Sequence, residues 1–166
     1  MTTPLGTLHI LLVDDNANMR AITTAMLRSL GVGRISEADD GSRAAQILHE
    51  SQIDIAIVDF KMLPVDGIAF TRLVRDEANS PNPYLPIIMM TGHSDQSRVV
   101  EARDAGVNEF VAKPVQINAL IKRIEAIILK PRPFVRSETF FGPDRRRTVV
   151  LEYAGPFRRS TDPRAA

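Results

Sequence analysis

The 166-residue sequence contains no cysteine. This absence excludes a disulfide framework, a thiolate metal site and a cysteine nucleophile, and it favours a protein of the reducing cytosol. No apolar run approaches the roughly 18 residues that a membrane span requires. The opening Met-Thr-Thr-Pro-Leu-Gly-Thr has neither the basic start nor the long apolar core of a signal peptide. We therefore expect a cytoplasmic protein without a membrane span.

Lysine is also absent from residues 131–166, which hold eight arginines and four acidic residues. Residues 1–130 hold 13 basic and 16 acidic residues. The net charge of +1 is therefore the sum of −3 for residues 1–130 and +4 for residues 131–166. A charge asymmetry of this kind suggests an anionic partner for the basic part.

Short apolar runs alternate with helical patterns through the first 130 residues. Apolar residues between and after the runs recur at a spacing near 3.6, which indicates helices. Strands that are apolar on both faces and separated by helices predict an α/β fold, (βα)5, with a doubly wound parallel sheet of five strands. The predicted strands are Leu8–Val13, Arg34–Ala38, Ile53–Val58, Pro86–Met90 and Glu109–Ala112.

The helical pattern ends at Pro131, and five of the eleven prolines lie at or beyond this residue. We predict an N-terminal segment over 1–6, a folded α/β body over 7–130 and an irregular arginine-rich extension over 131–166. An extension of this length and proline content is too small for a helix-turn-helix with its own core. We therefore expect no DNA-binding domain.

The extension contains the pattern aromatic-x-Gly-Pro-x-Arg-Arg twice, 13 residues apart, at Phe140–Arg146 and Tyr153–Arg159. Each Gly-Pro pair predicts a bend that presents one ring and two guanidinium groups. Guanidinium groups stack on planar rings and bind phosphate or the O6/N7 edge of guanine through two hydrogen bonds. The repeat therefore fits a small ligand with two purines and two phosphates. Residues 148–153, between the two copies, have the composition of a strand.

Polar side chains follow four of the predicted strands. Asp14 and Asp15 follow the first strand, Asp59 the third, Thr91 the fourth and Lys113 the fifth. Ligands of parallel α/β sheets bind at the carboxyl ends of the strands, so these groups should converge. A single aspartate after a strand is more often a helix cap than a ligand-binding residue. The prediction therefore depends on polar residues following four strands together. Clustered carboxylates repel one another unless a cation lies among them, and their oxygens suit Mg²⁺.

A carboxylate held against Mg²⁺ can attack a phosphoryl group and form an aspartyl phosphate. Asp59, at the end of the central strand, is the predicted nucleophile. Asp14 and Asp15 would bind the metal directly or through water, and Thr91 and Lys113 would stabilise the transferred oxygens.

Residues 7–129 resemble the receiver domain of the CheY-like response-regulator family. The matching motifs are Leu-Leu-Val-Asp-Asp-Asn, Ile-Val-Asp-Phe-Lys-Met, Met-Met-Thr-Gly-His and Lys113-Pro114. The resemblance implies a flavodoxin-like strand order of 2-1-3-4-5 and a signalling protein rather than an enzyme. It also implies that Asp59 is phosphorylated by a histidine kinase or phosphotransfer protein, with Mg²⁺ held by Asp14, Asp15, Asp59 and the backbone carbonyl of Lys61. Thr91 and Phe110 would form the conformational switch, and Lys113 would precede a cis peptide bond.

The sequence departs from the family pattern just after the acceptor position. Lys61 stands where many members have a small or neutral polar residue, and the usual proline is Leu63, with Pro64 one residue later. The Lys61 ammonium group either approaches the phosphoryl site or points to solvent. His93 is either a modulator of the attacking water or an exposed loop histidine.

The extension resembles that of the Cle proteins, which are CheY-like effectors of cyclic di-GMP. In that group the ligand orders the extension and promotes docking on the flagellar motor switch, through a face around the fourth helix, fifth strand and fifth helix. The resemblance implies stacking by Phe140 or Tyr153 and an acceptor for a guanine amine at Asp162. The implied arginine contacts are Arg145, Arg146, Arg147, Arg158 and Arg159, with additional contacts from Arg132 and Arg136.

Three functions follow from these observations. The first is a signalling adaptor that binds cyclic di-GMP through the extension and docks on the motor switch, with a receiver that is also phosphorylated. The second is a stand-alone response regulator driven by a histidine kinase, with an incidental extension. The third is a nucleic-acid-binding protein that uses the arginines.

Overall fold

The computed structural model describes residues 4–145, and their central feature is a five-stranded parallel sheet. The strands lie in the order β2-β1-β3-β4-β5, so the predicted fold class and strand order are confirmed. Each strand begins and ends within two residues of its predicted position. Their bounds are β1 (His9–Val13), β2 (Arg34–Ala38), β3 (Ile55–Asp59), β4 (Ile87–Thr91) and β5 (Glu109–Ala112).

Five α-helices connect and cover the strands, with short 3-10 helices at Leu5–Thr7 and His93–Arg98. The side chains of Asn16, Asp40 and Asp66 accept hydrogen bonds from first-turn amides and so begin three of the helices. None of the helices in residues 4–145 has the length and apolarity needed to cross a membrane. Their bounds are α1 (Ala17–Ser29), α2 (Gly41–Glu50), α3 (Gly67–Arg75), α4 (Val99–Ala105) and α5 (Ile117–Leu129).

The core consists of two apolar layers, one on each face of the sheet. Leu11 and Val13 face one layer with buried residues of α2, α3 and α4. Ile10 and Leu12 face the other layer with buried residues of α1 and α5. Because successive side chains of a strand point to opposite faces, a strand buried at every position requires helices on both sides. The continuous apolar runs of the sequence therefore correspond to this double covering.

The first part of the extension forms an antiparallel hairpin of β6 (Phe134–Arg136) and β7 (Phe141–Pro143). At its turn the Ser137 amide donates to the Phe140 carbonyl over 2.8 Å, and at its open end the Asp144 amide donates to the Pro133 carbonyl over 2.8 Å. The composition of this segment predicts irregular structure instead. Strands of three residues are too short to produce an alternating pattern, and this explains the difference.

The hairpin packs on the amino-terminal side of β4 and β5. The rings of Phe134 and Phe141 contact the Tyr84 ring, with centroid distances of 5.0 and 5.4 Å. Gly142 lies against Gly106, since a Cβ at Gly142 would come within 3.1 Å of the Gly106 Cα. The hairpin is therefore attached to the α/β body through aromatic and close backbone contacts.

Arg75, the last residue of α3, is a buried cation beneath the hairpin. Burial lowers the pKa of Arg75 to about 9, which leaves the guanidinium protonated at neutral pH. The Phe134 ring covers the guanidinium at 5.0 Å. Its nitrogens donate hydrogen bonds to the carbonyls of Pro83, Leu85 and Gly106 and to Asn108 Oδ1, at 2.7–3.1 Å. Arg75 thus joins α3 to the loops that precede β4 and β5.

We expect Arg75→Met to reduce the free energy of unfolding by about 2–4 kcal/mol, because several buried acceptors lose their charged donor. Urea unfolding monitored by circular dichroism measures this change. Arg72→Met, on the exposed face of the same helix, is the control and should change stability by less than about 0.5 kcal/mol. Equal effects of the two substitutions would contradict the structural role assigned to Arg75.

Candidate metal and phosphoryl site

Three carboxylates meet at the carboxyl ends of β1 and β3. Asp14 and Asp15 follow β1, Asp59 ends β3, and a possible ligand atom from each lies within 4.8 Å of the others. Asp14 and Asp59 are only 1% and 5% exposed, whereas Asp15 is exposed. The strands are neighbours in the sheet, with Val13 paired with Val58, and this register places the three residues together.

Lys113 brings a positive charge into this cluster. Its Nζ lies 2.5 Å from Asp59 Oδ1 and 3.9 Å from Asp14 Oδ2. Burial raises the pKa of Asp59 above its ordinary value, Lys113 opposes this change, and the charges of Asp14 and Asp15 raise the pKa further. The site therefore balances one ammonium group against three carboxylates.

The donor set fits a hard divalent cation. Asp14 Oδ1 accepts a hydrogen bond from the Asn16 amide at 2.9 Å, but the buried Asp14 Oδ2 has no hydrogen-bond donor among residues 4–145. A buried carboxylate oxygen without a donor is costly unless a cation compensates it. All the converging acidic ligand atoms are oxygens, which Mg²⁺ prefers.

Thr91 and Lys113 lie at the ends of the neighbouring strands β4 and β5. Thr91 ends β4, and its carbonyl accepts a hydrogen bond from the Lys113 amide at 2.8 Å. The Lys113–Pro114 peptide bond is cis, as the resemblance implies, and the Leu63–Pro64 bond is also cis. Met89 pairs with Phe110, so Thr91, two residues after Met89, lies on the same face of the sheet as the half-buried Phe110.

Lys61 makes contacts that its position in the sequence does not predict. Its Nζ lies 3.0 Å from Ser94 Oγ and 3.3 Å from Oδ1 of the buried Asp95, although most of the Lys61 side chain is exposed. Asp95 Oδ2 also accepts a hydrogen bond from the Gly92 amide at 2.8 Å. Lys61 therefore connects the segment after β3 to the 3-10 helix after β4, and the exposed His93 begins that 3-10 helix. The acidic residue three positions after Gly92 is a sequence signal for a helix N-terminus. The sequence around Lys61 contains no signal that would identify Ser94 and Asp95 as the contacts of Lys61.

Arg132, Arg136 and Arg145 of the extension form ion pairs with carboxylates of the α/β body. Phe140 is only 7% exposed, and the Arg145 guanidinium lies over its ring at 4.6 Å. These residues therefore lie outside the acidic cluster and against another part of the body. The predicted strand at 148–153 lies outside the described residues. The other ligand contacts implied by the resemblance also lie outside them: Arg146, Arg147, Tyr153, Arg158, Arg159 and Asp162.

Comparison with known proteins gives a match to the response regulator receiver domain over residues 10–125. The chain is 38% identical over 120 residues to the chemotaxis protein CheY of Pseudomonas aeruginosa, covering 72% of this chain and 95% of that protein. It is 33% identical over 120 residues to CheY-3 of Vibrio cholerae, covering 72% and 91%.

Solved structures agree with these matches. The receiver domain of a Pseudomonas aeruginosa sensor histidine kinase, determined with a magnesium ion coordinated in its active-site cleft, is 31% identical with a TM-score of 0.67, covering 74% of this chain and 98% of that one. The receiver domain of a Saccharomyces cerevisiae response regulator, solved with its histidine phosphotransfer protein, is 27% identical with a TM-score of 0.64, covering 71% and 86%. Given the extent of these matches and the arrangement at the ends of β1, β3, β4 and β5, the chain belongs to the response regulator receiver domain family.

Proposed function

We propose that this chain is a CheY-like signalling effector that binds cyclic di-GMP through its arginine-rich extension and docks on the flagellar motor switch. Its receiver accepts a phosphoryl group on Asp59 from a histidine kinase or phosphotransfer protein. The observation that supports cyclic di-GMP as the ligand is the repeated pattern aromatic-x-Gly-Pro-x-Arg-Arg in the extension. As a member of the receiver family, the chain is a signalling protein and not a true enzyme.

The acidic cluster supports phosphorylation of Asp59. Asp14, Asp15, Asp59 and the Lys61 carbonyl would hold Mg²⁺, and a bound ion would supply charge neutralisation of the carboxylates and polarisation of a phosphoryl group. An Asp59 carboxylate oxygen forms the new bond to phosphorus as the donor's leaving group departs. Lys113, already 2.5 Å from Asp59, and Thr91, on the neighbouring strand end, contact the transferred oxygens.

The basic residues of the extension are all arginines, and this supports a nucleotide as its ligand. The two copies of the pattern hold two aromatic positions and two arginine pairs, which match the two guanines and two phosphates of cyclic di-GMP. Because Phe140 is buried and the Arg145 guanidinium lies over its ring, Tyr153 is the better candidate for stacking on a base. Arg146, Arg147, Arg158 and Arg159 complete the central contacts, and Asp162 accepts from a guanine amine.

The partner face lies around α4, β5 and α5, near Phe110. The chemotaxis names of the relatives support a motor-switch partner. The complete acceptor site favours the second candidate, a stand-alone phospho-regulated receiver with an incidental extension. If Asp59→Asn abolishes partner docking and Arg158→Ala leaves it unchanged, this second candidate replaces the first.

Phosphorylation is expected to require Asp59 and Mg²⁺. Incubation with acetyl phosphate and Mg²⁺ should add one phosphoryl group to the wild-type chain and none to Asp59→Asn, and a chelator should prevent the reaction. Intact-mass spectrometry measures the product directly. The control is Asp39→Asn, which changes an exposed aspartate that follows β2 outside the acidic cluster and should retain the reaction. Modification of Asp59→Asn to the wild-type extent would disprove this acceptor assignment.

Cyclic di-GMP is expected to bind the full chain with micromolar or tighter affinity that persists at moderate salt. The double substitution Arg158→Ala and Arg159→Ala should weaken binding at least about tenfold, because charge-assisted hydrogen bonds contribute roughly 1.5–3 kcal/mol each. Calorimetry measures both affinities.

The matched control for this titration is Arg28→Ala with Arg34→Ala, which removes two exposed arginines from the α/β body. This control should bind like the wild-type chain. A loss of affinity equal to that of the extension variant would contradict the assigned location. Steep salt dependence together with a preference for long polynucleotides would instead favour the nucleic-acid function.

A further inference from the structure

Three carboxylates of the α/β body, which we call the acidic dock, each contact one arginine of the extension. They lie just after α3, within α4 and at the start of β5. This is the amino-terminal edge of the sheet, opposite the edge that carries the phosphoryl site. The pairs are Glu77 with Arg136, Asp104 with Arg145 and Glu109 with Arg132.

Apolar contacts position these arginines over the dock. The rings of Tyr84, Phe134 and Phe141 meet with centroid distances of 5.0–5.5 Å. Gly142 fits against Gly106 with no space for a side chain. The ion pairs are therefore part of a packed junction between the hairpin and the body.

The three pairs differ in how easily a competing anion can replace the carboxylate. The Arg132–Glu109 pair is the most buried, with side chains 21% and 9% exposed, a separation of 2.9 Å and a further contact from Arg123 at 3.4 Å. Glu77 and Asp104 are 42% and 49% exposed. Arg145 is only 20% exposed, like Arg132, but its partner Asp104 is exposed whereas Glu109 is buried. Because an exposed carboxylate contributes little to the stability of an ion pair, Glu77 and Asp104 are the carboxylates that a competing anion replaces most readily.

A guanidinium that binds a carboxylate through its donors has fewer donors left for a phosphate. We propose that the acidic dock competes with cyclic di-GMP for Arg136 and Arg145, so that ligand binding releases the β6–β7 hairpin from the body while Arg132 remains on Glu109. This inference rests on the proposed cyclic di-GMP binding and adds its regulation. When the hairpin arginines are paired with the acidic dock, the apparent affinity for the ligand is lower. By linkage, the bound ligand weakens the contact between the hairpin and the acidic dock.

Release of the hairpin changes the surroundings of the proposed partner face. Asp104 is the penultimate residue of α4 and Gly106 directly follows that helix. Glu109 directly precedes Phe110 in β5. Ligand binding at the extension therefore acts on the same segment that the partner is proposed to contact.

The test is calorimetry of cyclic di-GMP with the full-length double variant Glu77→Gln and Asp104→Asn. Removing two exposed competitors should tighten binding about 3- to 10-fold. The control variant, Glu50→Gln with Asp39→Asn, removes the same charge from exposed positions in α2 and after β2, the edge strand farthest from β5, and should change the affinity less than about twofold.

Unchanged or weaker binding by the dock variant, with wild-type binding intact, would overturn the competition and leave the proposed ligand in place. An equal gain in the control would assign the effect to net charge and would also overturn the competition. Absence of binding by the wild-type chain would remove both the competition and the proposed function.

A second measurement follows the Gly106 amide by NMR. Gly142→Val provides a reference for the released hairpin, since a Cβ there would lie 2.9 Å from the Phe140 ring and 3.1 Å from the Gly106 Cα. Saturating cyclic di-GMP should move the wild-type Gly106 resonance towards its position in this variant. A Gly106 resonance that stays in place at saturation would contradict release.

Discussion

The contact between Lys113 and Asp59 is the interaction on which the candidate site depends. Two nearly buried carboxylates, Asp14 and Asp59, face each other across neighbouring strands, and their repulsion is tolerable only with a cation nearby. Lys113 provides that charge from the end of β5, at 2.5 Å from Asp59. The parallel order of the sheet brings these residues to one edge, where Asp14 and Asp59 are buried. Core packing and site electrostatics are therefore parts of the same arrangement.

A second buried charge organises the opposite edge of the sheet. Arg75 binds the carbonyls that precede β4 and the loop that precedes β5, and Phe134 of the hairpin covers it. β5 has four residues, about 13 Å at 3.3 Å per residue, and connects the two edges. Glu109 at its start holds an arginine of the extension, while Lys113 directly after its end holds Asp59. A single four-residue strand that carries Phe110 thus lies between the two proposed inputs.

The sequence patterns predict the body of the protein well because its order is local and repetitive. Each apolar run marks a strand, and the polar residue after each run marks the site edge, so the pattern alone predicts that Asp59 and Thr91 lie together. The hairpin and the Lys61 contacts depend on different information. Three-residue strands carry no periodicity, the partner of Phe134 is the distant Tyr84, and Asp95 lies 34 residues after Lys61. Such contacts arise from the tertiary arrangement, which a local pattern does not encode.

The two copies of the repeat in the extension need not have equivalent roles. Phe140, Gly142 and Arg145 of the first copy are engaged with one another or with the body, through burial, close backbone contact and an ion pair. A ring that is covered cannot also stack on a base, and a guanidinium bound to a carboxylate must exchange partners before it binds phosphate through the same donors. The opposite charges of the body and the extension are therefore partly neutralised within the chain. Any anion that binds these arginines would therefore have to compete with carboxylates of the body, so its affinity would depend on the α/β body as well as on the extension.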